Sequence, residues 1–197
     1  VRTTEGSDGV HRVATSGLVL AAGAGRRLGR PKADLIVGGV RLIDRAVGLL
    51  RAGGCSEVVA VVRSAAIRAD DATTIVNPDP DLGMGSSLRI GLQAVSGDVC
   101  IIVLVDQIGI EPSDISAVAE AHAVDLADVV VARRGGKRSH PVLVSRDSFG
   151  EFGAAAEGDQ GARRFIDLHP DRVRFVDLPN QISDIDTPAD LAAVDQS

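Results

Sequence analysis

Residues 18–32 read LVLAAGAGRRLGRPK, and the fold turns on this stretch. An apolar run gives way to Ala21-Ala22, then to Gly23 and Gly25, and Arg26, Arg27, Gly29 and Lys32 follow. A strand that runs into such a small-residue loop lets backbone N–H groups approach and cradle phosphate oxygens. Arg27 and Lys32 add charge that backbone lacks. The chain has two lysines, Lys32 and Lys137, against nineteen arginines, so a lysine in this loop points to chemistry rather than surface filler. Two familiar phosphate loops are excluded. A G-x-G-x-x-G begun at Gly23 needs glycine where Leu28 stands, which also argues against a dinucleotide-binding oxidoreductase. A P-loop needs Gly-Lys in sequence, and Arg30-Pro31 separates Gly29 from Lys32.

Outward from this loop, apolar runs alternate with amphipathic segments. Strands are expected at 17–21, 57–62, 73–76, 99–105, 128–132, 142–145 and 173–178. Helices are expected at 42–51, 85–95, 112–122 (with Ser113 as a candidate cap), 162–169 and 189–194, the last opened by Thr187-Pro188. The alternation predicts an α/β layer fold with a mainly parallel sheet, whose ligands lie beyond the carboxyl ends of the strands. At 197 residues the chain reads as one domain over 15–197 behind a disordered tail over 1–14.

Composition narrows the function. A net charge of −6 and four Phe with no Tyr or Trp argue against a nucleic-acid binder. No run approaches the about eighteen apolar residues of a membrane helix, and the polar first dozen residues lack a signal-peptide core, so a cytoplasmic protein is expected. Cys55 and Cys100 read as buried reduced thiols, and two cysteines alone make no zinc site.

Four further places carry polar chemistry. Asp106 ends the run CIIVLV; a strand-end carboxylate is either a turn cap or a ligand for a hard cation such as Mg²⁺. Asn77-Pro78 with Gly83-Met84-Gly85-Ser86-Ser87 is either a plain helix start or a nucleotide contact. His140, before Pro141 and beside Lys137, is either an exposed imidazole in a hairpin turn or a ligand-facing group. Asp184 and Asp186, at i and i+2, share one side of an extended segment, a costly arrangement unless a cation or donor stands between them. Asp186 or Thr187 also suits a helix cap.

The stretch LAAGAGRRLGRPK resembles the signature L-A-A-G-x-[SG]-x-R-[ML]-G-x-x-K of the MobA-like nucleotidyltransferases, and within them the molybdenum cofactor cytidylyltransferases. The guanylyl branch usually has Gly-Gly where this chain has Ala22-Gly23. The later motifs fall in family order: N-P…G-M-x-x-S, V-D-Q-I for the family's G-D-Q-P, S-H-P-V for G-H-P-V, G-D-Q-G-A-R over 158–163, and D-I-D-T-P over 184–188. The clearest departures are Val105 for Gly and Ile108 for Pro. The resemblance implies a three-layer Rossmann-like nucleotidyltransferase fold with a mostly parallel central sheet. It implies transfer of CMP from CTP to the terminal phosphate of molybdopterin, with Mg²⁺ as cofactor and a molybdoenzyme or chaperone as recipient of the product. It assigns Arg27, Lys32 and Asp106 to catalysis. Leu20, Ala21, Ala22, Gly23, Gly25, Asn77, Ser86 and Ser87 surround the nucleotide. Gln107, His140 and Arg163 meet the acceptor, and Asp106 with Asp186 or Asp184 holds the metal, Asp159 serving as a helix cap. The alternatives are GTP as donor, another phosphorylated acceptor such as a sugar phosphate, and a binder that transfers nothing.

Overall fold

A seven-stranded sheet covered on both faces by helices forms the body of the chain. The computed structural model describes residues 13–158 and 162–194. Most of the expected tail lies outside them, as does Asp159. Ala14 is already anchored: its N–H donates to Asp98 Oδ2 at 2.9 Å, and its carbonyl accepts from the Asp98 N–H at 2.7 Å.

The central strand is β1 (Thr15–Ala21). It pairs in parallel with β4 (Glu57–Val62) on one side, which pairs with β5 (Thr73–Val76) at the edge. On its other side lies parallel β6 (Val99–Leu104), then β9 (Lys137–Ser145), β8 (Val129–Arg134) and β10 (Val173–Asp177). β9 runs antiparallel to both neighbours.

Alternation along the strands builds two cores. Val19 and Ala21, Ala60 and Val62, and Ile101 and Val103 face one side, against α1 (Leu42–Ala52) and α3 (Pro112–Asp125). Leu18 and Leu20, Val59 and Val61, and Cys100 and Ile102 face the other, against α2 (Met84–Ala94), α4 (Phe149–Ala154) and α5 (Arg163–Leu168). A strand buried on both faces needs apolar residues at every position, hence the unbroken runs in the sequence. Burial pushes both cysteine thiols up, Cys55 to about 12, and both are free and buried, as expected.

Several expectations are corrected. The expected strand 142–145 starts five residues earlier, because Lys137, Arg138 and Ser139 pair with Arg134, Arg133 and Ala132 of β8, beyond an irregularity that leaves His140 and Pro141 outside the register. Ser113 does not cap α3. Pro112 takes the first helical position, Glu111 precedes it as N-cap, and Asp114 Oδ2 accepts the Glu111 N–H at 3.0 Å. Outside the expected elements lie α4 and the small hairpin β2 (Ile36–Val37) and β3 (Val40–Arg41). Another small ladder, β7 (Gln107–Ile108) with β11 (Ser183–Asp184), ties the segment leading into α6 (Pro188–Val194) to the end of β6.

Candidate active site

The carboxyl ends of β1, β4 and β6 open onto a cavity of about 430 Å³. Its floor is the loop after β1. Gly25 adopts φ +58°, and an added Cβ would stand 2.0 Å from the Arg30 carbonyl oxygen, so only glycine fits there. The loop closes on itself through Leu28 N–H to Gly25 O at 2.8 Å and Lys32 N–H to Gly23 O at 3.4 Å. Leu20, Ala22, Gly23 and Gly25 line the cavity, whereas Ala21 is fully buried beneath it.

The loop delivers Lys32 to the centre of the site. Its ammonium donates to Asp106 Oδ2 at 2.5 Å and to Asp186 Oδ1 at 2.5 Å. Asp106 arrives at the end of β6. Asp186 arrives by the β7–β11 ladder, through the Ile185 N–H bond to the Asp106 carbonyl at 3.0 Å and the wholly buried Ile185 side chain. Burial of the ammonium pulls the Lys32 pKa down. The hydrogen bonds and charges of Asp106 and Asp186 outweigh it, and the net shift is upward from 10.5.

The two carboxylates of the D-I-D motif part company. Asp184 accepts from Gln107 Nε2 at 3.1 Å and lines a second cavity, so of the two it is Asp186 that joins Asp106. Arg27 is exposed and lies outside the cavity lining. Arg26 lines the cavity instead, with Arg63, whose Nη1 donates to the Ala22 carbonyl at 3.0 Å. Both arginines flank Asp81 Oδ1, at 3.4 and 3.6 Å.

Among the helix-start residues, Ser87 lines the cavity. Asn77 is buried and donates through Nδ2 to Ser86 Oγ at 2.8 Å and to Ser87 Oγ at 2.9 Å, and Ser86 Oγ donates to the Gly83 carbonyl at 2.8 Å. Asn77 and Ser86 are thus committed to holding the turn. Ser87 accepts from Asn77 and also lines the cavity.

The second cavity, about 800 Å³, shares Leu20, Met84 and Leu104 as a common wall with the first. It gathers Gln107, His140, Arg163 and Asp184 from the sequence reading, and also Arg134, Lys137 and Arg138. Its floor is apolar, with Leu88, Val142, Phe152 and Ile166. Arg134 is buried, pairs with Asp114 at 2.6 Å and donates to the His140 carbonyl at 2.5 Å. Burial pushes the His140 pKa down, the Asp106 charge pulls it partly back, Arg134 and Arg163 push it down again, and it falls to about 4. His140 is therefore neutral in the folded protein at pH 7. The unfolded chain binds a proton near pH 6.5 and the folded chain near 4, so this group withdraws stability as pH falls through that window. His140→Gln should flatten the acid loss of stability between pH 6.5 and 4 in urea titrations. Equal slopes in both proteins would mean the imidazole is freely solvated.

Residues 17–173 match the family model for the MobA-like NTP transferase domain. The chain belongs to the MobA-like NTP transferase family. By that domain it is a nucleotidyltransferase. Nicotine blue oxidoreductase of Paenarthrobacter nicotinovorans is 32% identical to it over 198 residues, spanning 92% of this chain and 93% of that protein. A probable molybdenum cofactor guanylyltransferase of Chloroflexus aggregans is 32% identical over 109 residues, 53% of this chain and 52% of its own. The crystal structure of an rv0371c homolog from Mycobacterium sp. strain JC1 superposes with a TM-score of 0.80 at 29% identity, covering 94% of this chain and 98% of that one. Among the described residues no helix is long and apolar enough to cross a membrane.

Proposed function

We propose that this MobA-like protein transfers CMP from CTP to the terminal phosphate of molybdopterin. The observation that carries the reading is the meeting of Lys32, Asp106 and Asp186 at the mouth of the glycine loop, beside a second, cation-rimmed cavity. An oxygen of the acceptor phosphate attacks the α-phosphorus, the bond from that phosphorus to the bridging oxygen breaks, and pyrophosphate leaves with the bonding pair. A phosphate oxygen is already a nucleophile, so no strong base is needed, and neutral His140 orients rather than abstracts.

The transfer brings polyanions together, so positioning and charge stabilisation dominate. Loop amides at 23–25 hold the triphosphate, Lys32 and Arg26 meet charge on the leaving group, and Ser87 donates toward the base. Lys137 and Arg163 draw the acceptor phosphate. Asp106 and Asp186 fit a Mg²⁺ site in kind and number, since this ion takes one or two carboxylates plus substrate phosphates. Among the described residues no group of three or more His, Cys, Asp or Glu forms a full protein cage. When bound, the ion supplies Lewis-acid stabilisation of the phosphoryl oxygens. CTP is favoured by Ala22-Gly23 in place of Gly-Gly.

The deciding assay is pyrophosphate release with molybdenum-loaded molybdopterin, Mg²⁺ and each of CTP, GTP, ATP and UTP in turn. Release with CTP alone is the expected result, and release with GTP alone overturns the base assignment. A second reading has one observation behind it: the relative matched over 92% of this chain is named an oxidoreductase. It predicts consumption of nicotine blue in the presence of an added two-electron donor, and no pyrophosphate with any of the four nucleotides.

A further inference from the structure

Asp106 and Asp186 both direct an oxygen at one nitrogen, Lys32 Nζ, at 2.5 Å each. Lys32 and Asp106 are mostly buried, with side chains 14% and 19% exposed, so water screens their contact weakly, whereas Asp186 is 53% exposed and holds the ammonium from the solvent side. The same lysine lines the nucleotide cavity, and its Cδ would lie 3.7 Å from a Cβ added at Gly23. Two anionic partners therefore compete for one ammonium: the acid pair, and any polyphosphate resting on the loop amides.

A divalent cation and the ammonium cannot both take the two facing oxygens, because like charges that close repel strongly in a partly dehydrated site. If the lysine leaves and nothing replaces it, the two carboxylates are left facing each other, which is equally unfavourable. We propose that Lys32 is a placeholder cation, which neutralises Asp106 and Asp186 until a polyphosphate draws it away and only then opens the pair to a divalent metal. This rests on the nucleotidyltransferase reading and deepens it by fixing the order of binding: nucleotide first, catalytic metal second. Binding linkage then requires the metal to tighten nucleotide by the same factor as nucleotide tightens metal.

Mn²⁺ binding followed by electron paramagnetic resonance tests this without any turnover. Direct metal–triphosphate contact would by itself couple the two ligands, so the decisive comparison is made with no nucleotide present. Lys32→Met should bind Mn²⁺ more tightly than the unaltered protein by roughly 5- to 150-fold, the ordinary span of such couplings. The gain should vanish in the double variant Lys32→Met/Asp186→Asn. A folded Lys32→Met protein with unchanged or weaker Mn²⁺ affinity overturns the proposal.

Should that variant not fold, the unaltered protein decides. With only two lysines, ¹⁵N-lysine labelling gives two side-chain signals. CTP added in EDTA should move the Lys32 signal and leave Lys137 in place, and a Lys32 signal indifferent to CTP overturns the proposal. Mn²⁺ gained by Lys32→Met alongside no pyrophosphate release from the unaltered protein would keep the placeholder and sink the transferase reading. Transfer activity with tight Mn²⁺ binding before nucleotide would do the reverse.

Discussion

Asp106→Asn should lower turnover by about 10²-fold or more, the scale seen when a charge-stabilising group is removed from a transition state. The substitution keeps shape. The backbone at this position is fixed by Val105 N–H to the Leu20 carbonyl at 3.2 Å and by the Asp106 carbonyl accepting from Ile185 N–H at 3.0 Å, neither of which involves the carboxylate. The glycine-loop amides are untouched, so nucleotide affinity should fall far less than the rate. What disappears is one of the two carboxylates that hold Lys32. The upward shift of the lysine pKa should shrink with it. A raised lysine pKa gives stability that is complete below the unfolded value of 10.5 and is lost as pH climbs through the folded value, so the variant should lose less stability in alkali. Pyrophosphate release and urea titrations above pH 10 read the two effects separately. Unimpaired turnover in a folded Asp106→Asn protein would falsify the metal-ligand role.

The fold was largely legible because its strands are buried on both faces. The runs EVVAVV and TTIV appear as strands with the bounds read from sequence, since β-branched runs closed by turn residues leave little choice. The strand order was not legible: nothing local says that β9 inserts antiparallel between β6 and β8. The hairpin at 36–41 carried a signal in Gly38-Gly39, both at positive φ, between two pairs of residues too short to read as strands. Residues FGEFGA of α4 hide their helix behind two poor helix formers, and packing of Phe152 in the core supplies what propensity lacks.

The site was legible where a motif names the residue and obscure where geometry chooses between neighbours. Arg26 and Arg27 are equivalent in sequence, and the single short turn at 26–28 decides that Arg26 meets the cavity. Arg63 follows β4 directly, so the rule of looking past each strand end points to it, but no neighbouring residue marks it. The departures at Val105 and Ile108 have a packing account. Val105 is buried and joins the core on the α1 and α3 side while also edging the cavity beside the glycine loop, and Ile108 packs against the same core. Both positions carry apolar bulk beneath the carboxylate, so the turn bearing Asp106 is held by packing where the family has glycine and proline.

Arg134→Met should be the most destabilising single change near the site. Asp114 and Arg134 are an ion pair with side chains 5% and 4% exposed. Asp114 Oδ2 collects three donors: Arg134 Nη2 at 2.6 Å, Asn180 Nδ2 at 2.9 Å and the Glu111 N–H at 3.0 Å. Asn180 Nδ2 also reaches the Gly109 carbonyl at 2.6 Å, and Arg134 Nη1 reaches Ser139 Oγ at 3.0 Å. One carboxylate therefore ties the head of α3, the segment ahead of β11 and the His140 wall of the second cavity. Methionine keeps much of the volume but strands the Asp114 charge, and breaking a buried pair from one side costs about 3–5 kcal/mol. Two donors remain to Asp114, so the low end, about 3 kcal/mol, is expected. At about 2–4 °C per kcal/mol for a chain of this size, the Tm should drop by roughly 6–12 °C. Asp114→Asn combined with Arg134→Met removes the stranded charge and should recover part of the loss, so the double variant should be more stable than Arg134→Met alone. If the two losses simply add, the pair is not coupled.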